Sequence, residues 1–90
     1  MRGEWLSLRI LPNESEQTRF GCAIRKKVAP QAVQRNRLKR WLRESFRLHP
    51  EAVPKGLNLV VMVQKVPAGV DFYSTEREFL TLCRRLAPMG

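Results

Sequence analysis

The sequence predicts a small α+β domain, because two kinds of hydrophobic periodicity occur along a chain of 90 residues. Three segments have the alternating or continuous apolar pattern of β-strands, and two have the 3.6-residue period of amphipathic helices. The length supports one domain over residues 1–90 with one modest core. The predicted architecture is a small sheet packed by helices, in the order β-β-α-β-α.

The first two predicted strands lie close together in the sequence. Residues 5–11 alternate, with leucines and an isoleucine on one face and Trp5 and Arg9 on the other. A short polar segment separates them from a second predicted strand over residues 19–25. Two strands joined in this way predict a β-hairpin. The face of this hairpin opposite the leucines is expected to be open to solvent, and it carries Trp5, Arg9 and Arg25.

A long helix is predicted from about Gln31 to Leu48, with Pro50 ending it. Its predicted apolar face carries Leu38, Trp41, Leu42, Phe46 and Leu48. The opposite face is polar and strongly basic. Residues 57–63 form a nearly continuous apolar run, which predicts an interior strand that is covered on both faces.

The last predicted helix begins near Thr75. Thr75 and Glu78 have the spacing of a capping box, in which each residue satisfies a backbone N–H of the first turn. The predicted buried stripe of this helix consists of Phe79, Leu82, Cys83 and Leu86. Pro88 is predicted to end the helix.

Charge is the most unusual property of the composition. Lys and Arg number 17 against 8 Asp and Glu, a formal net charge of +9. So basic a small domain favours a polyanionic partner, with nucleic acid preferred over a membrane surface or an acidic protein. The chain has no apolar run of signal-peptide or transmembrane length, so we expect a cytoplasmic protein without a membrane partner. Cys22 and Cys83 are then expected to be buried free thiols.

The basic residues are unevenly distributed. No acidic residue occurs from Gln17 to Arg43, and the charge there is concentrated on a loop and the long helix. This pattern is typical of a surface that binds phosphates, although a merely solvated helix face is the alternative. The candidate RNA-binding residues are Lys26, Lys27, Arg35, Asn36, Arg37, Lys39, Arg40, Arg43 and Arg47. For Asn36, a structural hydrogen bond between loop and helix is the alternative role.

Nothing in the sequence suggests a catalytic or metal site. Hydrolysis by a protein nuclease needs clustered carboxylates or histidines, whereas His49 and Asp71 are isolated. His49 falls near the end of the long helix, where packing or a contact with the negative end of the helix dipole is expected. The sequence therefore predicts a binding protein with no catalytic residue and no metal ligand.

The segment around the long helix resembles the signature of the bacterial ribonuclease P protein family. That signature is a K-K-V loop followed by A-V-x-R-N-R-x-K-R and R-E-x-F-R, which this chain matches at residues 26–28, 32–40 and 43–47. Arg19-Phe20-Gly21 and Gly56 with residues 57–61 extend the resemblance over almost the whole chain.

The resemblance implies a function in tRNA processing. It implies the protein subunit of ribonuclease P, a ribonucleoprotein endonuclease and hydrolase that matures the 5′ end of tRNA. The basic helix would bind the RNA subunit, and the open sheet face with Trp5, Arg9 and Arg25 would bind the 5′ leader of precursor tRNA. The chemistry would belong to the RNA subunit with Mg²⁺, and the protein alone would bind no cofactor. For Trp5, packing against the N-terminal helix that the chain apparently lacks is the alternative role.

The resemblance also implies a particular fold, similar to the second domain of a small-subunit ribosomal protein. It includes a left-handed strand-helix-strand crossover, whereas parallel crossovers are otherwise right-handed. The chain departs from the family by an apparent lack of the N-terminal helix, by Ala29 in place of glycine and by Arg9 in place of tyrosine. A structural RNA-binding protein of ribosomal type is the alternative function. A DNA-binding helix-turn-helix module is disfavoured by the predicted strands.

Overall fold

A computed structural model describes residues 1–86 as three strands, two α-helices and a short 3₁₀ turn. The elements are β1 (Leu6–Pro12), β2 (Arg19–Ala23), α1 (Ala32–Leu48), the 3₁₀ turn (Pro50–Ala52), β3 (Leu57–Val63) and α2 (Phe72–Leu86). The predicted α+β class and element order are confirmed. Pro88, the predicted end of the last helix, lies outside the described residues.

The sheet is mixed, with the strand order β1-β3-β2. Val61 of β3 lies opposite Leu8 in an antiparallel pair with β1 and opposite Cys22 in a parallel pair with β2. The predicted hairpin of β1 and β2 is therefore wrong, because β3 lies between them. The connecting segment crosses the start of β3, where Asn13 N–H donates to the carbonyl oxygen of Gly56 at 2.8 Å.

Helices cover one face of the sheet. On β3, the alternate residues Leu59, Val61 and Val63 are buried in the core, whereas Val60 and Met62 between them are partly exposed. The prediction that β3 is covered on both faces is therefore wrong. The strand is central in the sheet, but only its inner side faces α1 and α2. The chain from β2 through α1 to β3 forms a parallel crossover, whose hand stays a prediction.

Aromatic contacts join the two layers. The ring of Phe20 on β2 stacks on Phe46 of α1 at a centroid distance of 4.8 Å and meets Phe79 of α2 edge-on at 6.1 Å. Such pairs stabilise a core beyond the area that they bury. The apolar face of α1 ends at Phe46, because Leu48, which was predicted to share that face, is 47% exposed.

The start of α2 differs from the prediction. Ser74 N–H donates to Asp71 Oδ1 at 2.8 Å, and Asp71 N–H donates to Ser74 Oγ at 3.0 Å. This reciprocal pair caps a helix that begins at Phe72, so the predicted capping box of Thr75 and Glu78 is wrong. Both of those residues are buried within the helix.

Glu78 instead joins α2 to the beginning of the chain. Its Oε2 accepts hydrogen bonds from the backbone N–H of Trp5 at 2.9 Å and of Leu6 at 3.3 Å. The chain before β1 folds back along that strand, with an isolated antiparallel bridge between Arg2 and Ser7. Gly3 leaves room for this contact, because a Cβ at this position would lie 2.5 Å from Glu78 Oε2 and would displace the carboxylate.

Candidate nucleic-acid interface

Two exposed lysines lie in the loop that follows β2. Lys26 and Lys27 occupy a tight turn in which the backbone N–H groups of Val28 and Ala29 donate to the carbonyl oxygen of Arg25 at 3.0 and 3.1 Å. Ala29 is fully buried at the end of the turn. The buried residue and the backbone hydrogen bonds fix the loop, so both ammonium groups are held in solvent at the entrance to α1.

Arg35 connects this loop to α1. Its guanidinium donates to the carbonyl oxygens of Ala29 at 2.8 Å and Pro30 at 2.9 Å. Asn36 is exposed, and no side-chain hydrogen bond of residues 1–86 involves it. Arg35, and not Asn36, thus makes the hydrogen bonds that join the loop to the helix. The Asn36 amide is therefore available for a ligand.

The N-terminal half of α1 presents a polar and basic stripe. Val33, Asn36, Arg37 and Arg40 are all exposed and line a shallow cavity of about 380 Å³. Their spacing of three and four residues places them on one side of the helix. Val33 is 68% exposed, so its side chain lies in solvent between the polar residues of this stripe.

The charge on α1 is greatest in this same half. Arg47 pairs with Glu44, the one acidic residue of the helix, and this hydrogen bond lowers the pKa of the Glu44 carboxyl. Arg37, Arg40 and Arg43 have no carboxylate partner among residues 1–86. The candidate RNA-binding residues therefore differ in the charge that they offer to a ligand, since Glu44 partly neutralises Arg47.

Lys39 and Arg43 lie on the side of α1 that borders β2. Their charges act on the thiol of Cys22, whose pKa is raised to about 11 by burial and only partly lowered by the two cations. Lys39 is half-buried, whereas Arg43 is exposed. Of the two, Arg43 is the more accessible to a large ligand.

No side chain of residues 1–86 caps or neutralises the N-terminus of α1. Gln31 precedes the helix with an extended backbone, and its side chain makes no capping hydrogen bond. The first turn of α1 contains no acidic residue. Because unpaired backbone N–H groups give a helix N-terminus a partial positive charge, this end adds to the field of the loop lysines and favours phosphate.

The uncovered face of the sheet carries part of the second predicted surface. Arg9 is exposed in β1 and lies opposite Val60, which in turn lies opposite Gly21 of β2. No atom lies within 4 Å of where a Cβ of Gly21 would be, so the middle of this face is open. Arg25 is exposed just beyond the end of β2.

Trp5 does not lie on that face. It is only 5% exposed and belongs to the hydrophobic core, so the expectation of an exposed aromatic ring beside Arg9 is wrong. The physical reason is that Trp5 lies in a bend before β1, where the alternation of a strand does not apply. Trp5 is thus a packing residue, but it packs in the core of residues 1–86 and not against the N-terminal helix that the packing alternative invoked.

Sequence reasoning missed a contact between the two helices. His49, at the C-terminal end of α1, places Nε2 3.0 Å from Glu76 Oε2 of α2, and Nδ1 3.8 Å from Glu51 Oε1. Glu76 is distant in the sequence, and no local pattern pairs it with His49. Within residues 1–86, no group of three or more His, Cys, Asp or Glu side chains is arranged to hold a metal ion. No helix in this range has the length and apolar character that crossing a membrane requires.

Comparisons with known proteins agree with this architecture. The sequence model of the family described as Ribonuclease P matches residues 1–87. The ribonuclease P protein component of Thermotoga maritima is 31% identical over 90 aligned residues, which cover 96% of this chain and 76% of that protein. That of Yersinia pestis is 41% identical over 73 residues, which cover 81% of this chain and 60% of the relative.

Solved structures give the same result for the fold. The ribonuclease P protein of Thermotoga maritima superposes with a TM-score of 0.85, covering 94% of this chain and 80% of that one at 31% identity. The Staphylococcus aureus ribonuclease P protein superposes with a TM-score of 0.84, covering 97% of this chain and 79% of that one. At 19% identity, this second match supports the fold alone.

Proposed function

Because the chain belongs to the ribonuclease P protein family, we propose that it is the protein subunit of ribonuclease P and binds the RNA subunit through the loop after β2 and α1. The observation that carries this proposal is the group of unpaired cations on that surface. Lys26, Lys27, Arg37, Arg40 and Arg43 are exposed, and no carboxylate of residues 1–86 neutralises them.

The chemistry of these side chains suits a folded RNA. Arginine offers planar, bidentate donors to a phosphate, whereas lysine acts as a mobile point charge. Asn36 adds a group that both donates and accepts, which suits a ribose hydroxyl or a base edge. The open N-terminus of α1 adds backbone donors in the same place. Arg35 acts indirectly, by holding the loop at the helix.

The leader of precursor tRNA would lie on the uncovered sheet face. Arg9 and Arg25 supply charge there, and Gly21 leaves room for a strand to approach the backbone. Trp5 supports this face from the core and does not stack on the leader. Cleavage chemistry would belong to the RNA subunit with Mg²⁺, and this chain would contribute binding and orientation.

Single substitutions on α1 test the binding role. Arg37→Ala and Arg40→Ala should each weaken binding of the RNA subunit, and each should reduce the slope of log affinity against log salt by about 0.9. Lys55→Ala is the matched control, since Lys55 is an exposed cation in the turn before β3. Affinities of the α1 variants that equal the affinity of Lys55→Ala at every salt concentration would contradict the proposal.

A further inference from the structure

We propose that the outer surface of α2 is a second RNA-binding site and that it takes an unpaired RNA segment. This surface, the α2 ridge, consists of Tyr73, Arg77, Thr81 and Arg84, all of which are exposed. The inference deepens the proposed function, because the expected partner is the same class of molecule. It concerns a different helix from the one that carries the family motif.

Charge on α2 is the first observation that supports the site. The helix contains two carboxylates, and each has a partner outside the helix, although Glu76 and Glu78 each line a cavity beside the ridge. Glu76 contacts His49 of α1, and Glu78 accepts the backbone N–H groups of Trp5 and Leu6. None of the three arginines of the helix forms an ion pair with a carboxylate of residues 1–86, although the charge of Arg77 acts on the exposed carboxyl of Asp71. The three arginines are Arg77, Arg84 and Arg85.

The shape of this surface is the second observation. Arg77 and Thr81 line two cavities, one on either side of the ridge. The smaller one, of about 250 Å³, also includes Tyr73, Arg84 and Glu76, whose carboxylate contacts His49. The larger one, of about 610 Å³, also includes Lys65. The larger volume falls in the range of small-molecule sites, so the cavity is large enough for a nucleotide.

The larger cavity also contains acidic groups. Glu4 lines it and is exposed, whereas Glu78 lines it with the oxygen that already accepts two backbone hydrogen bonds. The cations Lys65, Arg77 and Arg85 outnumber these two carboxylates. The cavity therefore keeps a net positive charge and attracts a phosphate.

An exposed aromatic ring distinguishes the ridge from a merely solvated basic face. Tyr73 is 72% exposed, and the ring of Phe72 contacts it edge-on at a centroid distance of 5.6 Å. Tyr73 and Arg77 are four residues apart and lie on the same side of the helix. A base can stack on the tyrosine while the arginine binds the adjoining phosphate. Duplex RNA keeps its bases stacked inside, so this pairing selects an unpaired segment.

The helix dipole explains only part of this arrangement. Arg84 and Arg85 lie in the last turn of α2, where a cation is favourable without any ligand. Arg77 lies in the first half of the helix, where the dipole gives it no such advantage. The helix dipole therefore does not explain the positions of Arg77 and Tyr73. These two residues are substituted in the test of the site.

The test compares two RNAs by fluorescence anisotropy. The first is a labelled oligouridine of about eight nucleotides, and the second is a labelled RNA hairpin without unpaired ends. The variant Tyr73→Ala/Arg77→Ala should bind the oligouridine about tenfold or more weakly, with a salt slope lower by about 0.7. Tyr73→Phe keeps a stacking ring and should bind the oligouridine like the parent. Both single variants are measured as well, and circular dichroism checks their folding.

The matched variant on the other helix is Arg37→Ala/Arg40→Ala. It should weaken hairpin binding more than oligouridine binding, whereas the α2 variant should do the reverse. If the parent binds no oligouridine, the α2 inference is overturned, whereas the proposed function fails only if the parent also does not bind the ribonuclease P RNA subunit. If the parent binds both and the folded α2 variants bind oligouridine as the parent does, only the α2 inference is overturned.

A polyglutamate competitor separates stacking from charge alone. At equal concentration of charge, it should fail to displace oligouridine from the parent, because it offers no base to Tyr73. Displacement by polyglutamate as readily as by unlabelled oligouridine would also overturn the inference and would identify the ridge as a general polyanion or acidic-protein surface.

Discussion

Glu78 shows how one buried carboxylate organises the start of the chain. Its side chain accepts hydrogen bonds from the backbone N–H groups of Trp5, in the bend before β1, and of Leu6, the first residue of β1. Glu78→Ala removes the acceptor and leaves these donors buried, so we expect the free energy of unfolding to fall by about 2–4 kcal/mol. Glu78→Gln retains an acceptor oxygen and should cost less. Urea denaturation measures both.

The control for this prediction is Glu4→Ala, which removes an exposed carboxylate near the same bend. It should change stability by much less, since surface substitutions have small effects. Equal stability of Glu78→Ala and Glu4→Ala would show that the two hydrogen bonds contribute nothing measurable.

The two cysteines should be poorly reactive in the folded protein. Burial raises the pKa of the thiols of Cys22 and Cys83 to about 11, from an ordinary value of 9.0. At pH 8 the thiolate fraction is then about 100-fold smaller than in the unfolded chain, and alkylation by iodoacetamide should slow accordingly. Native protein that reacts as fast as protein in urea would refute this.

The same shifts predict how alkali affects stability. A raised pKa favours the protonated thiol in the folded state, so the unfolded chain loses its protons first as pH rises. Stability should therefore be retained below about pH 9 and decrease as pH approaches 11. Replacing both cysteines with serine should remove the part of this decrease that comes from the thiols.

Individual roles on the basic surface could be predicted only in part. The sequence identifies Arg35, Asn36 and Arg37 as a group, because residue type and local charge are visible in it. It does not reveal that Arg35 bonds to the carbonyls of Ala29 and Pro30, because the path of the loop decides this. Whether Trp5 stacks on RNA or packs stayed open for a similar reason, since the bend before β1 is not visible in the alternation.

At the scale of elements, the cap of α2 gives a prediction about acid. The Asp71 carboxyl accepts a hydrogen bond from the backbone N–H of Ser74, and this contact, with the Ser74 hydroxyl close by, holds its pKa below the ordinary 3.8. A lowered pKa contributes stability above that ordinary value and loses it as pH falls through the folded value. The thermal midpoint should therefore decrease below about pH 4.

Asp71→Asn separates the charge from the cap. The amide oxygen can still accept from Ser74, so the helix keeps its start, but the side chain no longer titrates. Its thermal midpoint should depend less on pH between about 5 and 3 than that of the parent. An identical pH dependence in the two proteins would assign the acid sensitivity to other carboxyls.

The elements themselves were predictable from the sequence, whereas their pairing was not. Apolar periodicity is a local property, and it identifies α1 and all three strands to within a few residues. Strand order depends on which segments meet in space, and a short polar connection between β1 and β2 favoured the wrong neighbour. The continuous apolar run of β3 indicated a central strand, but it also suggested a second covered face that the structure lacks.

At the scale of the whole molecule, a net charge of +9 predicts binding that is sensitive to salt. Phosphate contacts release counterions, so log affinity for RNA should decrease linearly with log salt, with a slope of about 0.9 for each contact to duplex RNA. Filter binding with the RNA subunit at several salt concentrations measures the slope. An affinity that barely changes between low and moderate salt would contradict an interface built on the loop and α1.

The central claim is that this chain assists an RNA enzyme. The most direct test measures cleavage of precursor tRNA by a bacterial ribonuclease P RNA at low Mg²⁺, with and without the protein. We expect the RNA with the parent protein to cleave faster than the RNA alone, Arg37→Ala/Arg40→Ala to lose most of this stimulation, and the protein without RNA to cleave nothing. Cleavage by the RNA-free protein, or an unchanged rate when the parent protein is added, would contradict the account.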